Sequence, residues 1–76
     1  MRSDCTPVVM HARVLESEQC RLLVCDVHTR QQVLVHADNA CRFCPGDCVC
    51  IRFSGAMTNS IPPQISADSV CCMEHN

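Results

Sequence analysis

Aromatic residues are scarce in this chain, which has no tryptophan, no tyrosine and only two phenylalanines among 76 residues. Proteins that bind single-stranded nucleic acid stack the bases on exposed aromatic rings within a positively charged groove. We expect Phe53 in the core, which leaves at most one ring, that of Phe43, exposed for stacking. The composition therefore argues against single-stranded nucleic acid as the ligand.

Lysine is absent as well, and six arginines, scattered singly along the chain, carry all of its permanent positive charge. Together with eight acidic residues they give a formal net charge of −2. Because phosphate contacts dominate the affinity for nucleic acid, a protein that binds it usually shows a basic patch. The sequence contains no such run, so we do not expect nucleic acid as a partner.

The sequence shows neither a signal peptide nor a transmembrane segment. Residues 1–10 lack a basic start followed by a continuous apolar stretch, and no run of about 20 apolar residues occurs. We therefore expect a cytoplasmic protein with reduced thiols and no membrane contact. A chain trimmed of its signal peptide would look the same.

Signatures of catalysis are also lacking. No serine lies in a nucleophile elbow, and no glycine-rich phosphate loop is present. His36 and Asp38 come closest to an acid–base pair, but so small a domain has little room for a buried pocket of the usual ~300 Å³ or more. We expect surface histidines and no enzymatic activity.

Alternating apolar and polar residues predict five β-strands and no convincing helix. The strands are expected at residues 8–15, 20–27, 32–36, 48–53 and 65–73. Residues 37–44 show no clear period, which fits a loop or a short helical turn. Five strands in so short a chain must close their sheet or pair their edges. The sequence therefore predicts a single all-β domain over residues 1–76, a small five-stranded OB-like barrel, with an SH3-like barrel as the alternative.

The most distinctive tract covers residues 46–67. It begins with Gly46-Asp47 before the fourth strand and includes the loop sequence Ser60-Ile61-Pro62-Pro63-Gln64. This tract resembles small bacterial proteins of unknown function, the YobA-like group, in which a Gly-Asp strand leads into a Ser-x-Pro-x-Gln loop. The resemblance implies an OB-type barrel and assigns no catalytic residues. Members of that group often look like exported lipoproteins, whereas this chain has no lipobox.

Polar side chains are concentrated in the loop before the fifth strand, where two adjacent prolines stiffen the backbone. A rigid loop loses little entropy on binding, so these side chains are the predicted ligand-binding residues of a non-enzymatic binding or assembly module. Its ligand would be a protein or a small molecule. The alternative is a loop that covers and braces one end of the barrel. The predicted ligand-binding residues are Thr58, Asn59, Ser60 and Gln64.

Nine cysteines are many for this length, and an odd number prevents complete pairing within the chain. Cys41 and Cys44 have the Cys-x-x-Cys spacing of a zinc knuckle, and Cys72 and His75 have Cys-x-x-His spacing. Three thiolates and one imidazole are a suitable tetrahedral set for Zn²⁺. A small zinc-stabilised domain is therefore the alternative function. Without it, no cofactor is expected.

The other interpretation of the cysteines is packing. Cysteine often fills cores as a small apolar residue, and Cys25, Cys48, Cys50 and Cys71 all fall in predicted strands. A core this small supplies only a few kcal/mol of net stability, roughly 3–5. Together with exposed barrel edges and a cysteine-rich surface, this predicts a homodimer.

Overall fold

Period-two alternation produces five strands in the computed structural model, which describes residues 8–54 and 57–73. The strands are β1 (Val8–Ser17), β2 (Arg21–Asp26), β3 (Gln32–His36), β4 (Cys48–Phe53) and β5 (Gln64–Cys72). A short 3₁₀ turn, Ala40–Arg42, lies between β3 and β4. The strands close into a barrel in the order β1-β2-β3-β5-β4. The predicted all-β, five-stranded OB-like barrel is confirmed.

Every described strand is paired on both sides. The β3–β5 pair is parallel and the other four pairs are antiparallel. Closure of this kind removes the unpaired edges through which open sheets associate. The open-edge argument for a homodimer therefore does not hold for this part of the chain, and a dimer would have to form through side chains.

The barrel interior is filled with aliphatic side chains and two phenylalanine rings. Of the described residues, no buried one is polar or charged, so the interior serves packing alone. Both phenylalanines belong to this core, so neither ring is available for stacking at the surface. The core residues are Met10, Ala12, Val14, Leu22, Val24, Val33, Val35, Ala40, Phe43, Val49, Ile51, Phe53, Ile65 and Val70.

Aspartate side chains close two of the turns. Asp26 Oδ1 accepts hydrogen bonds from the backbone N–H groups of His28 and Thr29 at 2.8 and 3.3 Å, which ends β2. Asp47 Oδ2 accepts from the Cys44 N–H at 2.9 Å before β4 begins. Both aspartates thus make local hydrogen bonds from side chain to backbone, which favour a turn over a continued strand.

The alternation in β5 is interrupted, contrary to the prediction. Phe53 pairs with Ala67 and Arg52 pairs with Ser69, so Asp68 is an extra residue and the register shifts. A bulge of this kind reverses the faces of the residues that follow it. Val70 therefore points into the core, whereas strict alternation would have directed Cys71 there.

The interpretation of the strand cysteines as core residues is wrong. Each of the eight cysteines in the described part of the chain is exposed or half-buried. Cys25, Cys48 and Cys50 are half-buried because they lie on the outer faces of β2 and β4, and Cys71 is exposed on β5. The outer face of the barrel thus carries a concentration of thiols.

Candidate binding loop

The loop between β4 and β5 is attached to the barrel by its backbone. Pro63 is buried, and its carbonyl accepts a hydrogen bond from the Leu34 N–H of β3 at 2.9 Å. At the base of the loop, the Thr58 N–H donates to the Gln64 carbonyl at 3.1 Å. These two bonds fix the position at which the chain re-enters the sheet at β5.

Two hydroxyl groups hold the loop in shape from within. The Gln64 N–H donates to Thr58 Oγ1 at 2.9 Å, and Ser60 Oγ donates to the Pro62 carbonyl at 2.9 Å. The two hydroxyl oxygens lie 2.7 Å apart. Since a serine hydroxyl has one proton and Ser60 gives it to Pro62, Thr58 must be the donor in the contact between them. Both hydroxyl protons are therefore committed to the loop.

The side chain of Gln64 joins the loop to β3. His36 Nε2 lies 2.9 Å from Gln64 Oε1 across the parallel β3–β5 pair. A carbonyl oxygen only accepts, so the imidazole Nε2 carries the proton and donates it. This contact is half-buried and ties the end of the loop to the outer face of the barrel.

The structure brings three of the four predicted ligand-binding residues together. Thr58, Ser60 and Gln64 form one hydrogen-bonded group, in which both hydroxyls and the side-chain oxygen of Gln64 have partners inside the protein. Asn59 is exposed beside them. These contacts support bracing, the alternative role considered for the loop. The side chains from Met57 to Ile61 are exposed.

Ile61 projects from this braced loop into solvent, and the residue is 97% exposed. It is followed by Pro62, which is half-buried. The Ile61–Pro62 peptide bond is cis. Ile61 is by far the most exposed large apolar residue in the described part of the chain; the next, Val8, is 50% exposed. Ile61 thus presents more apolar surface to solvent than Met57, the other exposed large apolar residue of the loop, which is 36% exposed.

Apolar side chains continue from the loop onto the barrel. Leu23 of β2 lies directly opposite Leu34 of β3 on the outer face, and both are half-buried. They line a shallow groove of about 240 Å³ together with Pro62. A second depression of about 350 Å³ lies by Ile61 and the two prolines. We call the four residues Leu23, Leu34, Ile61 and Pro62 the loop face.

Charged residues line the rim of the groove beside Leu23. Glu16, Glu18 and Arg21 form this rim, and Arg21 is paired with Glu18 through an N–O distance of 2.6 Å. Both side chains are about half exposed, so solvent screens the pair and it contributes little stability. The apolar groove therefore has a polar border, as protein-binding surfaces commonly do.

The predicted zinc ligands are not assembled in the described residues. Cys41 lies in the 3₁₀ turn, Cys44 precedes β4 and Cys72 ends β5; all three are exposed. No group of three histidine, cysteine, aspartate or glutamate side chains within residues 8–54 and 57–73 is arranged to hold a metal ion. His75 lies outside the described residues. The four-ligand site stays a prediction.

Comparison with protein-family models, curated proteins and solved structures finds no match. The resemblance of residues 46–67 to the YobA-like group consequently stays a prediction. In the described portion of the chain, no helix has the length and apolar character needed to cross a membrane.

Sequence reasoning missed the apolar members of this site. The sequence pattern points only to the polar residues of the loop, and it assigns no role to Ile61, Leu23 or Leu34. The available signal was that β2 and β3 each carry one leucine, Leu23 and Leu34, on the face opposite their valines. A strand with apolar residues on both faces buries one in the core and leaves the other for a neighbour.

Proposed function

We propose that this protein is a non-enzymatic binding module that contacts a partner protein through the loop face. The observation that carries this proposal is the 97% exposure of Ile61 on a loop whose hydroxyls hold its shape. Burial of apolar surface against a partner is favourable by about 25 cal/mol per Å². A loop that is already ordered loses little entropy in the binding step.

The shape of the loop face favours a protein over a small molecule. Small-molecule sites are clefts that enclose most of the ligand surface. The two depressions beside Pro62 are shallow, and Ile61 projects outward. A projecting side chain requires a partner that supplies the pocket. In such an interface, Ile61 would be the apolar anchor that enters the partner's pocket, and the charged residues would form the rim.

The position of the loop face on the barrel also supports binding. OB-folds commonly bind their ligands on the face of strands 2 and 3 and on the loops that join strands 1 to 2 and 4 to 5. Here the same region carries Leu23, Leu34 and Ile61, while both phenylalanines are buried. Apolar aliphatic residues in place of aromatic and cationic ones favour a protein surface over nucleic acid.

A second copy of the chain is one form of this partner. The exposed Ile61 and the half-buried apolar side chains beside it support self-association, although the barrel offers no open strand edge among its described residues. We keep the expectation of a cytoplasmic setting, which follows from the sequence alone. Zinc stabilisation is not favoured by any contact within residues 8–54 and 57–73.

Site-specific photo-crosslinking tests the proposal. A photoreactive amino acid replaces Asn59, which is exposed and adjacent to the contact, in cells that express the protein. We expect one discrete protein adduct with the native Ile61, and loss of that adduct with Ile61→Asp. Because Ile61 is almost fully exposed, Ile61→Asp should change the free energy of unfolding by no more than about 0.5 kcal/mol.

Ile61→Val is the matched control, since it keeps an apolar side chain and should keep the adduct. An adduct with twice the mass of the chain would identify the partner as a second copy. The proposal is wrong if no adduct forms, or if the adduct persists unchanged with Ile61→Asp.

A further inference from the structure

Cys50 and Cys71 lie directly opposite each other on β4 and β5. Val49 and Ile51, the neighbours of Cys50, are buried, so Cys50 points to the outer face of the barrel. Val70, the neighbour of Cys71, is also buried, and Cys71 therefore points to the same outer face. The two side chains share one face at one level of the sheet.

The hydrogen-bond pattern gives the backbone spacing of this pair. The Met73 N–H donates to the Cys48 carbonyl at 2.8 Å, so Cys50 and Cys71 form the next hydrogen-bonded pair of the antiparallel ladder. Cα atoms in such a pair are about 5.5 Å apart. Disulfides usually join residues whose Cα atoms are about 4.4–6.8 Å apart. The Cβ atoms of a hydrogen-bonded pair lie near the wide end of about 4.5–5.5 Å, whereas a disulfide needs about 3.5–4.5 Å. A disulfide between Cys50 and Cys71 therefore requires a small approach of the two strands, and the resulting bond is easily reduced.

The other cysteines within the described strands have different partners across the sheet. Cys25 faces Arg13 and Gln32, and Cys72 faces Val49. Cys48 faces Arg13 on one side and bonds through its carbonyl to Met73 on the other. Within residues 8–54 and 57–73, Cys50 and Cys71 are thus the one pair of cysteines placed directly opposite each other.

We propose that Cys50 and Cys71 are a redox-active thiol pair that forms a reversible cross-strand disulfide on the outer face of the barrel. The oxidant we name is a small-molecule disulfide of the glutathione class. The two protein thiols lose two protons and two electrons, and the oxidant is reduced to two thiols. Excess reduced glutathione reverses the reaction.

The exposure of the two residues sets the order of the steps. Cys71 is exposed, so its thiolate attacks the small disulfide, forming a mixed disulfide and releasing one glutathione thiolate. Cys50 is half-buried and adjacent. Its thiolate then attacks the sulfur of Cys71, forming the Cys50–Cys71 bond and releasing the second glutathione thiolate. The two protons from the cysteines leave to solvent or to the released thiolates.

Mass spectrometry after incubation with glutathione disulfide tests the proposal on the whole protein. Trypsin cleaves after Arg42 and Arg52, so Cys50 lies in the peptide of residues 43–52 and Cys71 in that of residues 53–76. We expect a species lacking two hydrogens in which these two peptides are joined. Reduced glutathione should separate them again.

Serine variants assign the bond, because each peptide contains further cysteines. Cys50→Ser and Cys71→Ser should each reduce the joined peptide to background. Cys48→Ser and Cys72→Ser, which replace neighbours that face other residues, should leave it at the wild-type level. Should a variant fail to fold, fragmentation of the joined wild-type peptides identifies the two bonded cysteines directly.

Three outcomes would overturn the proposal. One is a joined peptide that survives Cys50→Ser or Cys71→Ser. Another is Cys71 that keeps glutathione as a stable mixed disulfide while Cys50 stays free. The third is the absence of any joined peptide at a glutathione disulfide concentration that modifies other thiols of the chain. None of these outcomes depends on the loop face, since Cys71 lies near the end of β5 away from Gln64.

Discussion

His36 Nε2 donates a hydrogen bond to the side-chain oxygen of Gln64 over 2.9 Å, linking β3 to the first residue of β5. These two strands form the parallel pair that closes one side of the barrel. The contact continues through the Gln64 backbone to Thr58, whose hydroxyl takes part in bracing the loop. The sheet and the loop are therefore one hydrogen-bonded unit, and the loop face depends on it.

Removal of this hydrogen bond should destabilise the protein measurably. We expect Gln64→Ala to lower the free energy of unfolding by about 1 kcal/mol, because a half-buried hydrogen bond is lost. His36→Ala should cost a similar amount, and the double variant should cost less than the sum of the two. Urea denaturation monitored by circular dichroism measures all three values.

Gln32→Ala is the control for that series, since Gln32 is exposed at the start of β3. It should change stability by less than about 0.5 kcal/mol. Strictly additive effects of the His36 and Gln64 substitutions would contradict the coupling.

The turn before β4 should not tolerate a side chain at Gly46. Gly46 has φ +96°, and its N–H donates to the Val14 carbonyl at 2.8 Å. A Cβ atom there would meet nothing within 4 Å, so the cost of Gly46→Ala comes from the backbone conformation alone. We expect a loss of about 1–2 kcal/mol, measured by thermal or urea unfolding.

Arg30→Ala is the matched control for the turn. Arg30 already has a Cβ atom at φ 66°, so alanine adds no new backbone strain. Its effect should stay within about 0.5 kcal/mol. If Gly46→Ala proves equally harmless, the turn must adopt another backbone conformation in solution.

Chelation of metal should leave the fold intact. Cys41, Cys44 and Cys72 are not gathered into a ligand group in the structure, so we expect an excess of chelator to leave the unfolding temperature unchanged. A structural zinc site would behave differently, because its binding energy is folding energy. Native mass spectrometry of the reduced protein provides the second measurement, and one zinc ion per chain would restore the site of Cys41, Cys44, Cys72 and His75.

Much of the barrel followed from local patterns in the sequence. The alternation that places Val49, Ile51 and Phe53 on one face of β4 is confirmed by their burial. β3 and β4 have the predicted bounds. Local patterns succeed here because side chains of a regular strand point to alternate faces whatever the strand pairs with.

The position at which β1 ends depends on its pairing with β2. The sequence predicts that β1 stops at Leu15, because a polar stretch follows. In the structure it continues to Ser17, where Glu16 and Ser17 pair with Leu23 and Leu22 of β2 across a shift in register. Exposed polar residues extend a strand when a neighbouring strand supplies hydrogen bonds, which a local pattern does not reveal.

The candidate sites were likewise predicted in part from the sequence and in part seen only in the structure. Composition and order alone identified the rigid, polar loop of Thr58, Ser60 and Gln64 and the concentration of thiols. Tertiary structure determined that the loop hydroxyls bond to one another, and that Ile61 is the residue presented to solvent. Which polar group satisfies which depends on the three-dimensional path of the loop, and spacing in the sequence does not encode it.

The bulge at Asp68 shows most clearly which features the sequence determines and which depend on tertiary structure. The sequence by itself determined that the fifth segment is a strand with Ile65 and Cys71 on one face, and the burial of Ile65 identifies that face as the inner one. Strict alternation would place Cys71 on that same inner face, yet the shifted register turns it outward, opposite Cys50. The physical reason is that β5 must pair with β3 and β4 at once to close the barrel, and one extra residue in the ladder accommodates both.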